Sequence, residues 1–131
     1  MHTLHITTSV REELVNITST VQKLVQEQNW MDGLLYLFCP HTTGALTINE
    51  AADPSVVRDI TVNMNKLVPR QGDYRHMEGN SDAHIKSSLF GPGLTLIVHE
   101  GRLALGTWQG VFFCEFDGPR QRKLWVKWLA G

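Results

Sequence analysis

The run Leu34-Leu35-Tyr36-Leu37-Phe38-Cys39 is apolar at every position and is closed by Pro40. It has the length of a strand and is too short for a buried helix. Unbroken apolarity predicts a strand covered on both faces, which commits the chain to a layered sheet. With 131 residues, of which 42% are hydrophobic, the chain has the size and composition of one such domain. No internal repeat, low-complexity tract or long linker divides it.

The flanking segments supply the layers. Leu4, Ile6, Thr8 and Val10 alternate with His5, Thr7 and Ser9, the period of a half-buried strand. Asn16 is placed as an N-cap, and Ile17, Val21, Leu24 and Val25 follow at helical spacing, predicting an amphipathic helix to about Asn29. Ala45 to Ile48 resumes as a strand. Asp53-Pro54 then signals a helix start, with an acidic cap and proline at the first helical position. The stripe Val56, Val57, Ile60, Met64, Leu67 and Val68 carries that helix to Pro69.

Arg70 to Asp82 is the most polar stretch, and a loop of that length in a small domain is often functional. Asp82 is placed as the cap of a short helix that carries His84, Ser87 and Ser88 on one face. Beyond Leu94 the pattern reads as a β meander, with strands at Leu94–Val98, Val111–Phe116 and Leu124 to the end. The sum is an α+β fold, with a mostly antiparallel or mixed sheet and roughly two to three helices.

Several function classes are disfavoured. The formal net charge is −1 and the pI near 6.6, without the basic surplus of a nucleic-acid binder. Arg120, Arg122 and Lys123 form the only basic cluster and read as a solvated strand edge. No apolar run approaches a membrane span, and the N-terminal residues lack the pattern of a signal peptide. Cys39 and Cys114 sit in apolar runs without a CxxC partner. They read as buried hydrophobes in a reducing compartment, which points to the cytoplasm.

The chemistry centres on histidine. His41, His76, His84 and His99 fall in or beside loops. Imidazole is a common transition-metal ligand and titrates near neutrality. Clustering favours His41, His76 and His84, and His99 marks a turn. Glu50, Asp53, Asp73 and Asp82 offer oxygen ligands or ring acceptors. His41-Thr42-Thr43-Gly44 follows a buried strand. It either aims N–H groups and hydroxyls at an anion or satisfies its own backbone. Lys86 either neutralises a phosphate or is an exposed lysine. Trp108-Gln109 is either a ring-and-amide recognition pair or a hairpin bend with Trp in the core. Glu115, an acid inside a strand, must be paired, face a cavity or point outward.

Four blocks carry a resemblance: Cys39 to Ala45, Asn49 to Pro54, Gly79 to Lys86, and Gly106 to Gln109. In their order and spread over nearly the whole chain they resemble the YjbQ family, with Ser81 standing where that family more often has Ala. The resemblance implies a compact α+β homotrimer. It also implies an accessory activity named secondary thiamine-phosphate synthase, in which a pyrimidine diphosphate and a thiazole phosphate join with loss of pyrophosphate. The site it implies comprises His41, Thr42, Thr43, Glu50, Asp53, Asn80, His84, Ser87 and Gln109.

Taken together, His84, Glu50 and His41 are the expected catalytic groups. Thr42, Thr43, Asn80, Lys86, Ser87, Trp108 and Gln109 are the expected contacts to a phosphorylated small molecule. His41, Glu50, Asp53, His76 and His84 are the expected ligands of a divalent metal, Mg²⁺ if oxygens dominate and Zn²⁺ if imidazoles do. A non-catalytic metal- or phosphate-binding trimer and a hydrolase of a phosphorylated small molecule are the alternatives.

Overall fold

The structure, a computed structural model, describes all 131 residues. In chain order the elements are β1 (His2–Thr7), β2 (Glu13–Asn16), α1 (Thr18–Glu27), β3 (Gly33–Phe38), β4 (Gly44–Glu50) and α2 (Pro54–Leu67). There follow α3 (Ser81–Phe90), β5 (Gly93–His99), β6 (Arg102–Leu103), β7 (Gln109–Glu115) and β8 (Gln121–Ala130). Two sheets form, one in the order β1-β8-β3-β5-β6 and one in the order β2-β7-β4. Every pairing is antiparallel.

The C-terminal strands do not form a meander. β5 and β6 pair as neighbours, but β7 crosses to the smaller sheet and β8 inserts between β1 and β3. β8 is the longest strand, and insertion gives it a partner on each side instead of an open edge. The strand Glu13–Asn16 has no counterpart in the sequence reading. It is short, and its alternation is broken by pairs of like residues.

The two sheets enclose one core. Leu35, Leu37, Leu96, Val98, Leu124 and Val126 of the larger sheet meet Leu46, Val111 and Phe113 of the smaller, with Val21, Leu24 and Val25 of α1. The cap position of α1 is Ile17, not Asn16, which ends β2 and whose carboxamide accepts from the Thr18 N–H at 3.0 Å and its hydroxyl at 2.7 Å. α3 covers the opposite face of the smaller sheet, where Ala83 packs with Ala45, Cys114 and Phe116. Thus α3 is pressed against β4 beside the turn that precedes it.

Two expectations of burial fail. β3 is covered on one face only: Leu35 and Leu37 are buried, and Leu34 and Tyr36 are exposed. Ile97, Trp125 and Leu129 continue that exposed apolar face across β5 and β8. α2 starts as expected, with Asp53 Oδ1 accepting from the Ser55 N–H at 2.9 Å, but none of its residues is fully buried. Nothing in the single chain lies over the exposed face of β3, whereas Val56, Val57, Ile60 and Met64 of α2 are half-buried and Leu67 is exposed.

Candidate functional site

α3 carries the centre of the site. His84, Ser87 and Ser88 share the face that the three- and four-residue spacing requires. With His41, Thr42, Gly44 and Pro92 they line a cavity of about 300 Å³. On its other flank His84 joins Ser81, Ile85, Asp73, Tyr74, Arg75 and His76 around a second cavity of about 450 Å³. The rings of His76 and His84 meet edge to face with centroids 5.4 Å apart. His84 is therefore the wall between two hollows, one built on the turn before β4 and one on the loop before α3.

The turn can lie close against β7 because Gly44 has no side chain. A Cβ there would lie 2.7 Å from the Phe113 ring. The Ser87 hydroxyl, on a residue only 8% exposed, has no hydrogen-bond partner. A buried hydroxyl without a partner is costly, and this one borders the smaller cavity. His41 accepts the Lys123 N–H at Nε2, 2.9 Å away. Burial and the nearby Arg122 charge lower its pKa and keep the ring neutral. Asn80 donates from Nδ2 to Asp117 at 2.8 Å, while its Oδ1 is buried without a partner.

The remaining nominated residues lie elsewhere. Glu50 is at the far end of β4, roughly 20 Å of extended strand from Gly44. Its Oε2 accepts the Asp53 N–H at 3.2 Å. Asp53 holds the start of α2, and the Ser55 bonds lower its pKa. Gln109 Oε1 accepts the Gly106 N–H at 2.8 Å, closing a turn on which Trp108 is 63% exposed rather than in the core. No group of three or more His, Cys, Asp or Glu side chains is gathered as a metal site. His41, Glu50, Asp53, His76 and His84 do not fit a single metal ion within one chain.

The match to a family model described as UPF0047 protein YjbQ-like runs over residues 2–131. The chain belongs to the YjbQ-like UPF0047 family. It is 52% identical to a family protein of Methanocaldococcus jannaschii over 93% of this chain and 88% of that one. With YugU of Bacillus subtilis it shares 46% identity over 99% of each. Its fold is similar to the crystal structure of an uncharacterised family protein from Clostridium acetobutylicum, at TM-score 0.95 and 51% identity over 98% of this chain and 100% of that one.

In this member of the YjbQ-like family three charged residues depart from expectation. Lys86 is fully buried, with Nζ donating to Asn65 at 2.6 Å and to Glu12 and Asp82 at 3.2 Å each. It is neither an exposed lysine nor turned to the cavities. Asp82 does not cap α3. It lies inside the first turn, paired with Arg11 at 3.0 Å and with Lys86. Burial raises the Asp82 pKa, but the Arg11 and Lys86 bonds outweigh this and lower it overall. Arg122 is no solvated edge residue: it is 2% exposed and bound to Glu115. Cys39 and Cys114 are buried free thiols. Burial pushes the Cys39 thiol up to about 11 and raises Cys114 further, which makes both unreactive.

Arg75 and Ser81 are the polar site residues of most chemical interest that sequence reasoning did not nominate, and Tyr74, Ile85 and Pro92 also line the cavities. Arg75 lay in the polar loop with nothing to separate it from its neighbours. Ser81 was visible only as a departure from the family pattern. The structure puts both beside His84.

Proposed function

We propose that this protein binds a phosphorylated small molecule across His84. The phosphoryl end lies against Arg75, His76 and Ser81, and the polar body reaches His41, Thr42 and Ser87. His84, shared by both cavities, is the observation that carries the reading. The larger cavity holds the Arg75 guanidinium, two imidazoles and the first turn of α3 beside one carboxylate, Asp73, and the guanidinium and helix start favour an anion. The smaller cavity holds hydroxyls and imidazoles, which suit the rest of a polar ligand.

The reaction we propose is thiamine-phosphate synthase-type. A thiazole nitrogen uses its lone pair to form a C–N bond to the pyrimidine methylene carbon. The C–O bond to pyrophosphate breaks, and the leaving group departs with that electron pair. No base is needed for this attack, so the protein's work is to hold both partners and stabilise the departing charge. Arg75 and Ser81 hold the thiazole phosphate, and His84, on the wall between the cavities, donates a hydrogen bond to the departing pyrophosphate. Hydrolysis by Ser87 finds no support: its hydroxyl has no hydrogen bond to His84 that would activate it.

The reading includes a homotrimer and a cytoplasmic setting. Leu67 at the end of α2 and the face Leu34, Tyr36, Ile97, Trp125 and Leu129 are two separate exposed apolar surfaces. Contact of one with the other is head to tail, and such contacts close into rings when the rotation between copies closes. Light scattering of the purified protein should give three times the chain mass. A monomer would remove the trimer from the proposal.

The deciding experiment is steady-state thiamine-phosphate formation, with Arg75→Ala and His84→Ala as controls and pyrophosphate release measured in parallel. Turnover lost in both variants, with their melting curves unchanged, is the expected result. Absence of turnover, with no thermal stabilisation by thiazole phosphate, would sink the reading. At a hundred times Kd the ligand should stabilise the fold by about 2.7 kcal/mol.

A further inference from the structure

The turn that carries His41 is held from beneath by a buried ion pair. Arg122, near the start of β8, donates from Nε to Glu115 Oε2 at 2.8 Å and from Nη2 to Glu115 Oε1. The same Nη2 donates to the Thr43 hydroxyl at 2.9 Å and to the Thr43 carbonyl at 3.2 Å. Glu115, fully buried, also accepts from the Thr8 hydroxyl at 2.8 Å and the Asp117 N–H at 3.0 Å. One residue on, the Lys123 N–H donates to His41 Nε2. Consecutive residues of β8 thus hold the turn twice, by side chain at Thr43 and by backbone at His41.

The second contact has a chemical consequence. A backbone N–H only donates, so the His41 Nε2 that receives it bears no proton. The neutral ring then carries its proton on Nδ1. Nδ1–H is the ring donor that His41 has left, and His41 lines the cavity with Thr42 and Ser87. Buried ion pairs are a weak source of net stability, because desolvation offsets their attraction. What this pair supplies is a fixed geometry, and its bonds end on the turn.

We propose that Arg122, fixed by Glu115, is a positioning residue that makes His41 a neutral Nδ1–H donor to an acceptor oxygen of the ligand body. The identity of that ligand rests on the function proposed above, but the tautomer does not.

Long-range ¹H–¹⁵N spectra of the His41 ring in the full-length protein test it directly. The wild-type protein should show one neutral tautomer with the proton on Nδ1. A wild-type ring protonated on Nε2, or an even mixture, overturns the proposal without any variant. Arg122→Lys keeps the charge but loses the fork, and Glu115→Gln keeps the guanidinium but loosens it. In either, the Nε2–H tautomer should appear, and thiazole phosphate affinity should fall about tenfold. Inorganic phosphate, which needs only the Arg75 end, should bind as before. Variants that melt earlier yet keep the wild-type tautomer would assign the pair to stability alone and overturn the proposal. If the tautomer behaves as expected and no phosphate ester binds, the function reading fails while the positioning role stands.

Discussion

The two ends of β4 are made of similar residues and differ in what those residues have left to offer. At the Glu50 end every nominated carboxylate or amide closes local structure: Glu50 takes the Asp53 N–H, Asp53 takes Ser55, and Gln109 takes Gly106. At the Gly44 end the Ser87 hydroxyl is buried without a partner, and His84 faces two cavities. Residue type alone does not make a site. Polar groups that the fold has left unpaired, on a surface held rigid from behind, do so.

The rigid backing predicts the largest effect. Beneath α3, Lys86 meets Asp82 and Glu12 in the interior, and the Glu50 end has no comparable buried charge. Lys86→Met leaves those carboxylates with one fewer cation and should cost about 3–5 kcal/mol of stability. Chemical denaturation measures it. A cost below about 1 kcal/mol would mean the cluster relaxes into water and is not the support for α3.

Acid should act on the same backing. Burial raises the Glu115 pKa, but the Arg122, Asp117 and Thr8 bonds outweigh it and hold the carboxyl below its ordinary 4.5. Asp82 is likewise held below 3.8. A carboxyl with a depressed folded pKa adds stability that is complete above its unfolded value and is lost as pH falls through the folded one. The melting temperature should therefore begin to fall below about pH 6.5, where unfolded His41 takes up a proton that the folded ring resists, and drop more steeply below about pH 4.5, and Glu115→Gln should flatten that second drop. An unchanged slope in that variant would remove Glu115 from the linkage.

Much of this was open to sequence reasoning, for identifiable reasons. Asp53-Pro54 announced α2, because cap and proline act on neighbouring residues. The i, i+3 and i+4 spacing put His84, Ser87 and Ser88 on one face, because a helix fixes that geometry locally. Arg122 with Thr43, and Lys86 with Glu12, were not legible. These pairs lie 79 and 74 positions apart, and only the sheet order brings them together. The apolarity of Leu34 to Cys39 was read as two-sided burial inside one chain, when its exposed face has no cover there. The Glu50 cluster was grouped with the histidines by polarity, although β4 separates them.

The contrast between the ends is tested by ligand affinity. His84→Ala should weaken thiazole phosphate binding about 10- to 100-fold, as for a hydrogen bond to a charged group, while Glu50→Ala leaves it within a factor of two or so. Calorimetry of both variants decides it. Equal losses would break the comparison and mean that the Glu50 end of another copy reaches the cavity. Ser87→Ala should give a smaller effect of unusual sign. Removing an unpartnered buried hydroxyl leaves the free protein as stable or slightly more stable, while ligand affinity falls a few-fold. A variant that lost stability without losing affinity would show the hydroxyl to be part of the packing.

Metal removal carries the smallest expected change and the most information about assembly. His41 already receives a backbone N–H at Nε2, and Glu50 and Asp53 lie at the other end of β4. Dialysis against a chelator should therefore leave both the melting temperature and thiazole phosphate affinity unaltered. A clear drop in either, reversed by adding back Zn²⁺ or Mg²⁺, would require the histidines of one chain and the carboxylates of another to share an ion. The two ends of β4 would then be halves of one site completed by a second copy, and a Glu50→Gln variant should lose the metal together with the affinity.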